Sequence, residues 1–173
     1  MGDTSVNFVV EGPPKPLARP VLGRAPGRLG RAWLRNPTSN NIAKQRVRDA
    51  VRAQVFEPRN SQPTILFGSN VPIVVDITFH MVPPLSLFVN GDREGGRFKA
   101  ISSSKWPTAK PDLDNLDKLV LDSLQGFLIH EDKQVVRQCI CKIYDRQAPY
   151  MGRTEVSVRL ASQEHATSHS VII

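Results

Sequence analysis

The sequence lacks most of the features that mark secreted, disulfide-bonded or membrane proteins. Only two of its 173 residues are cysteines, and Cys139 and Cys141 lie two apart, where a strand would put both thiols on one face. That spacing suits reduced thiols and a reducing compartment better than a disulfide. No apolar run approaches the ~20 residues that cross a bilayer, and the N-terminus MGDTSVNF has no secretory signal. These absences predict an intracellular protein of the cytoplasm, nucleoid or nucleus, neither secreted nor bound to a membrane.

Positive charge is concentrated in the first third of the chain. The net charge is +7, whereas residues 15–59 alone hold eleven basic and two acidic residues, a local excess of +9. A basic surface can serve solubility alone, but clustered arginines favour phosphate backbones because the guanidinium group matches phosphate geometry. We therefore predict DNA binding by Lys15, Arg19, Arg24, Arg28, Arg31, Arg35, Lys44, Arg48 and Arg52.

The periodicity of apolar residues predicts one small α/β (α+β) domain over residues 1–173. Alternation predicts strands at 6–11, 71–82, 134–145 and 153–161, the last two forming a hairpin across the 146–152 turn. Helical spacing predicts one helix at 40–56 and a second that begins near Asp114. Irregular segments are expected at 15–37 (a basic arginine-rich loop), 83–109 (a long flexible loop) and 162–173 (a polar tail). The expected fold is a mixed sheet of about four strands packed by two main helices.

Acidic residues gather in one stretch of this basic protein. Residues 110–136, KPDLDNLDKLVLDSLQGFLIHEDKQVV, hold five aspartates, one glutamate and three lysines. Part of this pattern is ordinary for an exposed helix: Asp114 can serve as N-cap, and Asp114, Lys118 and Asp122 form a ladder at i, i+4 spacing. Helix capping does not explain the presence of Asp112 two residues before this cap, because two neighbouring carboxylates repel each other.

A shared divalent cation is the alternative explanation for this stretch. Glu131 and Asp132 come just before a predicted strand, and we expect the start of that strand to bring Asp132 near Asp112 and Asp114. Converging carboxylates favour hard cations such as Mg²⁺. Lys118, one turn after Asp114, would direct a positive charge to the same point. A cation and a lysine beside a phosphate are suited to phosphodiester cleavage.

The same residues resemble the RusA family of Holliday-junction resolvases. The resemblance rests on Lys110-Pro111-Asp112-Leu113-Asp114-Asn115-Leu116-x-Lys118, followed by Asp122, Leu124, Gly126 and Glu131-Asp132-x-Gln134-Val135. A looser similarity covers 8–20, where Gly12-x-Pro14 and Arg19-Pro20 occur.

The resemblance implies a homodimeric Mg²⁺-dependent endonuclease, with Mn²⁺ able to substitute, that makes paired symmetric nicks in four-way DNA junctions during recombination and repair. It implies Asp112, Asp114 and Asp132 as catalytic metal ligands and Lys118 as the essential basic residue, with Asp122 and Glu131 in support. Two alternatives stay open: a nuclease acting on other branched DNA, such as a flap or fork, and a basic nucleic-acid-binding protein without catalysis. The second predicts binding that depends steeply on salt and is indifferent to Mg²⁺.

Overall fold

A computed structural model of the chain describes residues 5–24, 32–35, 37–56, 65–99 and 106–161, with only the backbone given for 21–24 and 32–35. In chain order the elements are β1 (Ser5–Glu11), β2 (Val21–Arg24), β3 (Ala32–Arg35), α1 (Thr38–Gln54), β4 (Ile73–Met81), α2 (Leu113–Leu124), β5 (Val135–Tyr144) and β6 (Arg153–Leu160). The predicted tail at 162–173 and residues 100–105 lie outside the described residues. No described helix is both long and apolar enough to cross a membrane.

The main sheet has four strands in the order β1-β6-β4-β5. Strand β4 pairs in parallel with β5 and antiparallel with β6, and β6 pairs antiparallel with β1, so the sheet is mixed. The predicted α+β fold with about four strands and two main helices is confirmed. The predicted hairpin of the last two strands is wrong, because β4 lies between β5 and β6 and pairs with both.

Both helices contribute buried apolar residues to the core over the sheet. Alternate residues of β1 are buried, as its period-two pattern predicts, and α1 and α2 bury the apolar positions of a helical stripe. The core includes Phe8, Val47, Ile77, Phe79, Leu116, Val120, Leu124 and Val158. This packing sets α2 against the sheet, with its acidic N-terminal turn left at the surface.

Two segments predicted to be irregular contain ordered structure. The 15–37 segment holds the β2–β3 hairpin, in which Leu22 lies opposite Leu34. The glycines and prolines of this segment hide both short strands from local periodicity: Pro16, Pro20, Gly23, Pro26, Gly27, Gly30 and Pro37. The first part of the 83–109 segment contains 3₁₀ turns at Leu85–Leu87 and Val89–Gly91 and a bridge between Phe88 and Phe98. The rings of Phe88 and Phe98 pack with Tyr150, a contact between distant residues that local periodicity does not reveal.

Candidate active site

The start of α2 presents two adjacent carboxylates to solvent. Asp112 occupies the N-cap position, one residue before the helix, and Asp114 lies in the first turn. The preceding Pro111 favours a helix start here because proline fits the beginning of a helix and not its interior. Both side chains are exposed, and neither carboxylate makes a hydrogen bond or ion pair with any residue that the structure describes. The N-cap is therefore Asp112 rather than Asp114, and it does not cap through its side chain.

The turn that carries these carboxylates is anchored from two sides. Lys142 of β5 donates from Nζ to the carbonyl oxygens of Ala109 (2.8 Å) and Pro111 (3.0 Å). On the other side, the backbone N–H of Leu17 donates to the carbonyl of Asn115 at 2.8 Å. These contacts hold the backbone around Asp112 between β5 and the segment that follows β1.

Asp117 is a third carboxylate near the start of α2, and it faces β5. Its Oδ1 accepts a hydrogen bond from Nε2 of Gln138. Burial is the main cause that raises the pKa of the Asp117 carboxyl above its usual value; the hydrogen bond from Gln138 partly offsets this effect, and the charge of Asp114 adds to it. The ionised form of Asp117 is thus disfavoured in the folded chain, and part of that cost comes from its neighbour Asp114.

We expect Asp117→Asn to stabilise the fold near neutral pH. A carboxyl whose pKa is raised in the folded state favours folding below its unfolded pKa of about 3.9, and this contribution is lost as the pH rises through the folded pKa. The amide keeps an oxygen that can accept from Gln138 and carries no charge. The gain should stay below about 1 kcal/mol because the site is partly solvated. Urea unfolding between pH 4 and 7 measures it.

A control for this experiment lies on the same helix. Asp122 forms an ion pair with Lys44 of α1, with 3.0 Å between Oδ2 and Nζ. Asp122→Asn removes that pair and should lower stability by about 1 kcal/mol or less, opposite in sign to Asp117→Asn. If Asp117→Asn is less stable than the wild-type chain at pH 7, the raised pKa of Asp117 is contradicted.

Lys118 and Asp122 occupy different surroundings on α2. Lys118 is exposed one turn after Asp114, and its ammonium has no hydrogen-bonding or ionic partner among the described residues. Asp122 lies one turn after Lys118 and binds Lys44, which holds α2 to α1. The structure thus leaves Lys118 available beside the two carboxylates, whereas Asp122 is occupied in the contact between the helices.

Asp132 lies in a 3₁₀ turn, Asp132–Gln134, just before β5. Gln134 is buried and anchors this turn: its Nε2 donates to the carbonyls of Gly68 (2.5 Å) and Val71 (3.0 Å), and its Oε1 accepts from the N–H of Glu131 at 2.9 Å. The carboxylate of Asp132 is exposed, with no hydrogen-bonding or ionic partner in the described part of the chain.

Glu131, in contrast, is engaged locally. Its carboxylate pairs with Lys133 at 2.6 Å and lies 3.6 Å from His130. The hydrogen bond from Lys133 holds the pKa of Glu131 below its usual value, with the charges of Lys133 and His130 adding to the effect. In this structure Glu131 contacts its sequence neighbours, and its supporting role in catalysis remains a prediction.

The structure does not bring Asp132 to the other two carboxylates. The residues after α2 turn back at its C-terminal end, where the N–H groups of Phe127, Leu128 and Ile129 donate to the carbonyl of Leu124. Strand β5 then runs antiparallel to α2, since Gln138 contacts Asp117 and, further along, Lys142 contacts Pro111.

Asp132 and the pair Asp112 and Asp114 therefore lie toward opposite ends of α2, a helix of 12 residues that is about 18 Å long. Across the described ranges, no three His, Cys, Asp or Glu side chains lie close enough to hold a metal ion together. As a set of metal ligands, the three aspartates remain a prediction.

The predicted basic row on α1 is occupied within the fold. Lys44 binds Asp122, Arg48 donates from Nε to the carbonyl of Ser123 at 3.0 Å, and Arg52 pairs with Asp49 at 2.9 Å. Lys15 and Arg19 are exposed. The side chains of Arg24, Arg28, Arg31 and Arg35 lie outside the described residues. DNA binding by all nine basic residues remains a prediction.

An open groove with a volume of about 620 Å³ runs beside Asp112. One wall is formed by the segment after β1, with Pro16, Leu17 and Arg19, and the other by the start of α2, with Lys110 and Asp112. Sequence reasoning named Arg19 and Asp112 but did not place them along one groove. It also did not identify Lys142. Alternation along β5 puts Lys142 on the same face as Gln138, and polar residues on the strand face that packs against a helix indicate polar contacts with that helix.

Two comparisons with known proteins each cover most of the chain. Residues 11–159 match the family model described as endodeoxyribonuclease RusA. The chain is also 31% identical over 157 residues to the uncharacterized protein YqaN of Bacillus subtilis (strain 168), a match that spans 91% of this chain and 97% of that protein. Both matches include the acidic helix, the strands on either side of it and the groove.

Proposed function

This chain belongs to the RusA endodeoxyribonuclease family, and we propose that it is a Mg²⁺-dependent endonuclease that resolves four-way DNA junctions by paired symmetric nicks. Family membership implies an endodeoxyribonuclease that acts on branched DNA junctions during recombination. The nucleases of this family generally depend on divalent metals. The observation that carries the proposal is the pair of unpartnered carboxylates, Asp112 and Asp114, at the start of α2.

The donor set at this helix start fits a hard divalent cation. Asp112 and Asp114 offer carboxylate oxygens, which Mg²⁺ prefers, and no described residue competes for them. We propose that both residues are metal ligands, with Mn²⁺ able to replace Mg²⁺. The chemistry that such an ion supplies is Lewis-acid activation of water and neutralisation of charge on the phosphodiester.

Lys118 is the protein group proposed to act on the scissile phosphate. It lies one helical turn from Asp114, is exposed and has no partner in the described part of the chain. A lysine ammonium is a compact point charge that can move toward developing negative charge. In this proposal Lys118 stabilises the extra charge that the phosphate gains during displacement.

A homodimer is proposed because one chain separates the carboxylates that the site requires. Asp132 lies toward the far end of α2 from Asp112 and Asp114, so a site with all three aspartates needs a second copy. Two symmetric nicks also need two sites, and a two-fold dimer presents them to a junction of similar symmetry.

The free edge of β5 is the surface best suited to this pairing. At the opposite edge of the sheet, α1 covers β1, because the Gln54 side chain accepts from the N–H of Val9 at 2.9 Å and donates to its carbonyl at 2.6 Å. In the described structure β5 pairs along its length with β4 alone, and Val136 is 61% exposed. A long uncovered edge strand is prone to pair with another chain.

Antiparallel pairing of two β5 strands would bring the separated carboxylates together. A two-fold axis places the start of one β5 beside the end of the other. The end of β5 lies next to the start of α2, because Lys142 contacts the carbonyls of Ala109 and Pro111. The Asp132 of each subunit is therefore carried toward the Asp112 and Asp114 of the other, and we propose that each metal site is shared between two chains.

The proposal is tested with an end-labelled synthetic four-way junction, with linear duplex, a flap and a fork as comparison substrates. We expect two nicks at symmetric positions of the junction in Mg²⁺ and none in EDTA. If the flap or the fork is cleaved in preference to the junction, the substrate is another branched DNA and not the four-way junction. Tight binding without cleavage in either Mg²⁺ or Mn²⁺ would contradict the enzyme assignment.

A further inference from the structure

The groove beside Asp112 carries two cations whose charges are not used inside the fold. Arg19 and Lys110 lie on its opposite walls. Both are exposed, and neither makes a hydrogen bond or an ion pair with any other residue that the structure describes. The basic residues of α1 differ, since Lys44, Arg48 and Arg52 all have partners within the chain. Arg19 and Lys110 are thus available to an anion that enters the groove.

The wall that carries Arg19 is held in place by a buried side chain. Asn40 of α1 is 6% exposed; its Oδ1 accepts from the N–H of Ala18 at 2.8 Å, and its Nδ2 donates to the carbonyl of Ala18 at 2.9 Å. The backbone directly before Arg19 is therefore fixed at both of its polar groups. An irregular segment has no hydrogen-bond ladder of its own, so this clamp sets the position from which Arg19 projects.

The wall that carries Lys110 is held in place by one lysine side chain. Lys142 donates to the carbonyls of Ala109 and Pro111, which flank Lys110 on both sides. The cations of the groove are thus presented by two fixed backbone segments, and both segments line the groove beside Asp112. Because the backbone that carries these cations is already ordered, binding a phosphate does not require the entropy loss of ordering it.

From these contacts we propose that the groove is a subsite for the backbone of the cleaved DNA strand, in which Arg19 and Lys110 bind phosphates next to the scissile one. This inference rests on the proposed function. The groove is open to solvent, it carries one cation on each wall and it leads to Asp112, so a strand bound along it passes the metal ligands. Arg19 suits a bidentate contact with phosphate oxygens, and Lys110 contributes a point charge.

Salt dependence of binding tests the subsite without requiring cleavage. We would measure the affinity of Arg19→Gln, Lys110→Gln and the double variant for a four-way junction in EDTA at several salt concentrations. Each substitution should weaken binding about three- to tenfold and reduce the slope of log K against log salt by about 1, and the double variant by about 2. Lys99→Gln removes an exposed charge that does not line the groove, and its slope should equal that of the wild-type chain.

A neutral linkage in the DNA locates the contact. Methylphosphonate at the phosphates adjacent to the cut should weaken binding of the wild-type chain about three- to tenfold and leave the affinity of the double variant unchanged. The subsite is overturned if the groove variants keep the wild-type slope, or if the double variant is as sensitive to the neutral linkages as the wild-type chain.

The two proposals fail differently. A wild-type chain that binds junctions but never nicks them contradicts the nuclease, and the slope and linkage results still decide the groove. A chain that nicks normally while its groove variants bind like the wild type contradicts the groove alone. A wild-type chain that binds no DNA contradicts both.

Discussion

The Asp114→Asn variant is expected to bind a four-way junction at least as tightly as the wild-type chain and to nick it at least about 100-fold more slowly. Removing a residue that only orients a metal ligand lowers metal affinity or activity about 10- to 100-fold. Removing a ligand itself should therefore lower activity by at least as much. Binding should be kept or become tighter because the substitution removes a negative charge near phosphate. Single-turnover nicking and equilibrium binding, measured on the same junction, separate the two effects.

Asp122→Asn is the matched control for this variant. It makes the same chemical change on the same helix, but at a carboxylate that is paired with Lys44. Its nicking rate should fall far less than that of Asp114→Asn, because Asp122 is at most a supporting residue and its carboxylate is bound to Lys44. Wild-type nicking by Asp114→Asn would show that Asp114 does not serve the metal. Loss of junction binding by Asp114→Asn would instead indicate that the helix start is needed for the fold.

Mixing two inactive variants is expected to restore nicking if each site is shared between two chains. In a mixed dimer of Asp114→Asn and Asp132→Asn, one site carries both substitutions and the other carries neither. Random exchange makes half of the dimers mixed, each with one intact site, so nicking should recover to about one quarter of the wild-type rate. The recovered product should be a single nick per junction, because a mixed dimer has no second active site. Labelling each strand of the junction in turn measures both the rate and the pairing of nicks.

The control for complementation uses two variants with substitutions at the same end of α2. A mixed dimer of Asp112→Asn and Asp114→Asn has one damaged ligand in each site, so no intact site forms and no nicking should return. If neither mixture recovers activity while the chains are shown to exchange, each site is contained within one chain, and the position of Asp132 has to be explained without a partner. Recovery in both mixtures would contradict the assignment of Asp112 and Asp114 to one site.

Local pattern determined much of this protein from its sequence. The strands at 6–11 and 71–82 were predictable because apolar and polar residues alternate with the period of a strand. β4 lies within the second range, and β1 begins one residue before the first. The acidic helix was predictable because Pro111 limits its start and Leu116, Val120 and Leu124 recur at helical spacing. Residues within one turn of a helix are neighbours whatever the rest of the chain does. The grouping of Asp112, Asp114 and Lys118 therefore needed no tertiary information.

Contacts between distant residues were decided only by the tertiary structure. The sequence does not say that β4 lies between β5 and β6, that Lys44 pairs with Asp122, or that Lys142 holds the turn before α2, since each depends on residues far apart in the chain. Asp132 shows the physical reason most clearly. It lies only 20 residues after Asp112 in the sequence, but α2 carries the chain away from Asp112, and Asp132 lies just before β5, the strand that runs back along the helix. Sequence identified the carboxylates by their chemistry, whereas the direction of β5 decided which of them share one end of the molecule.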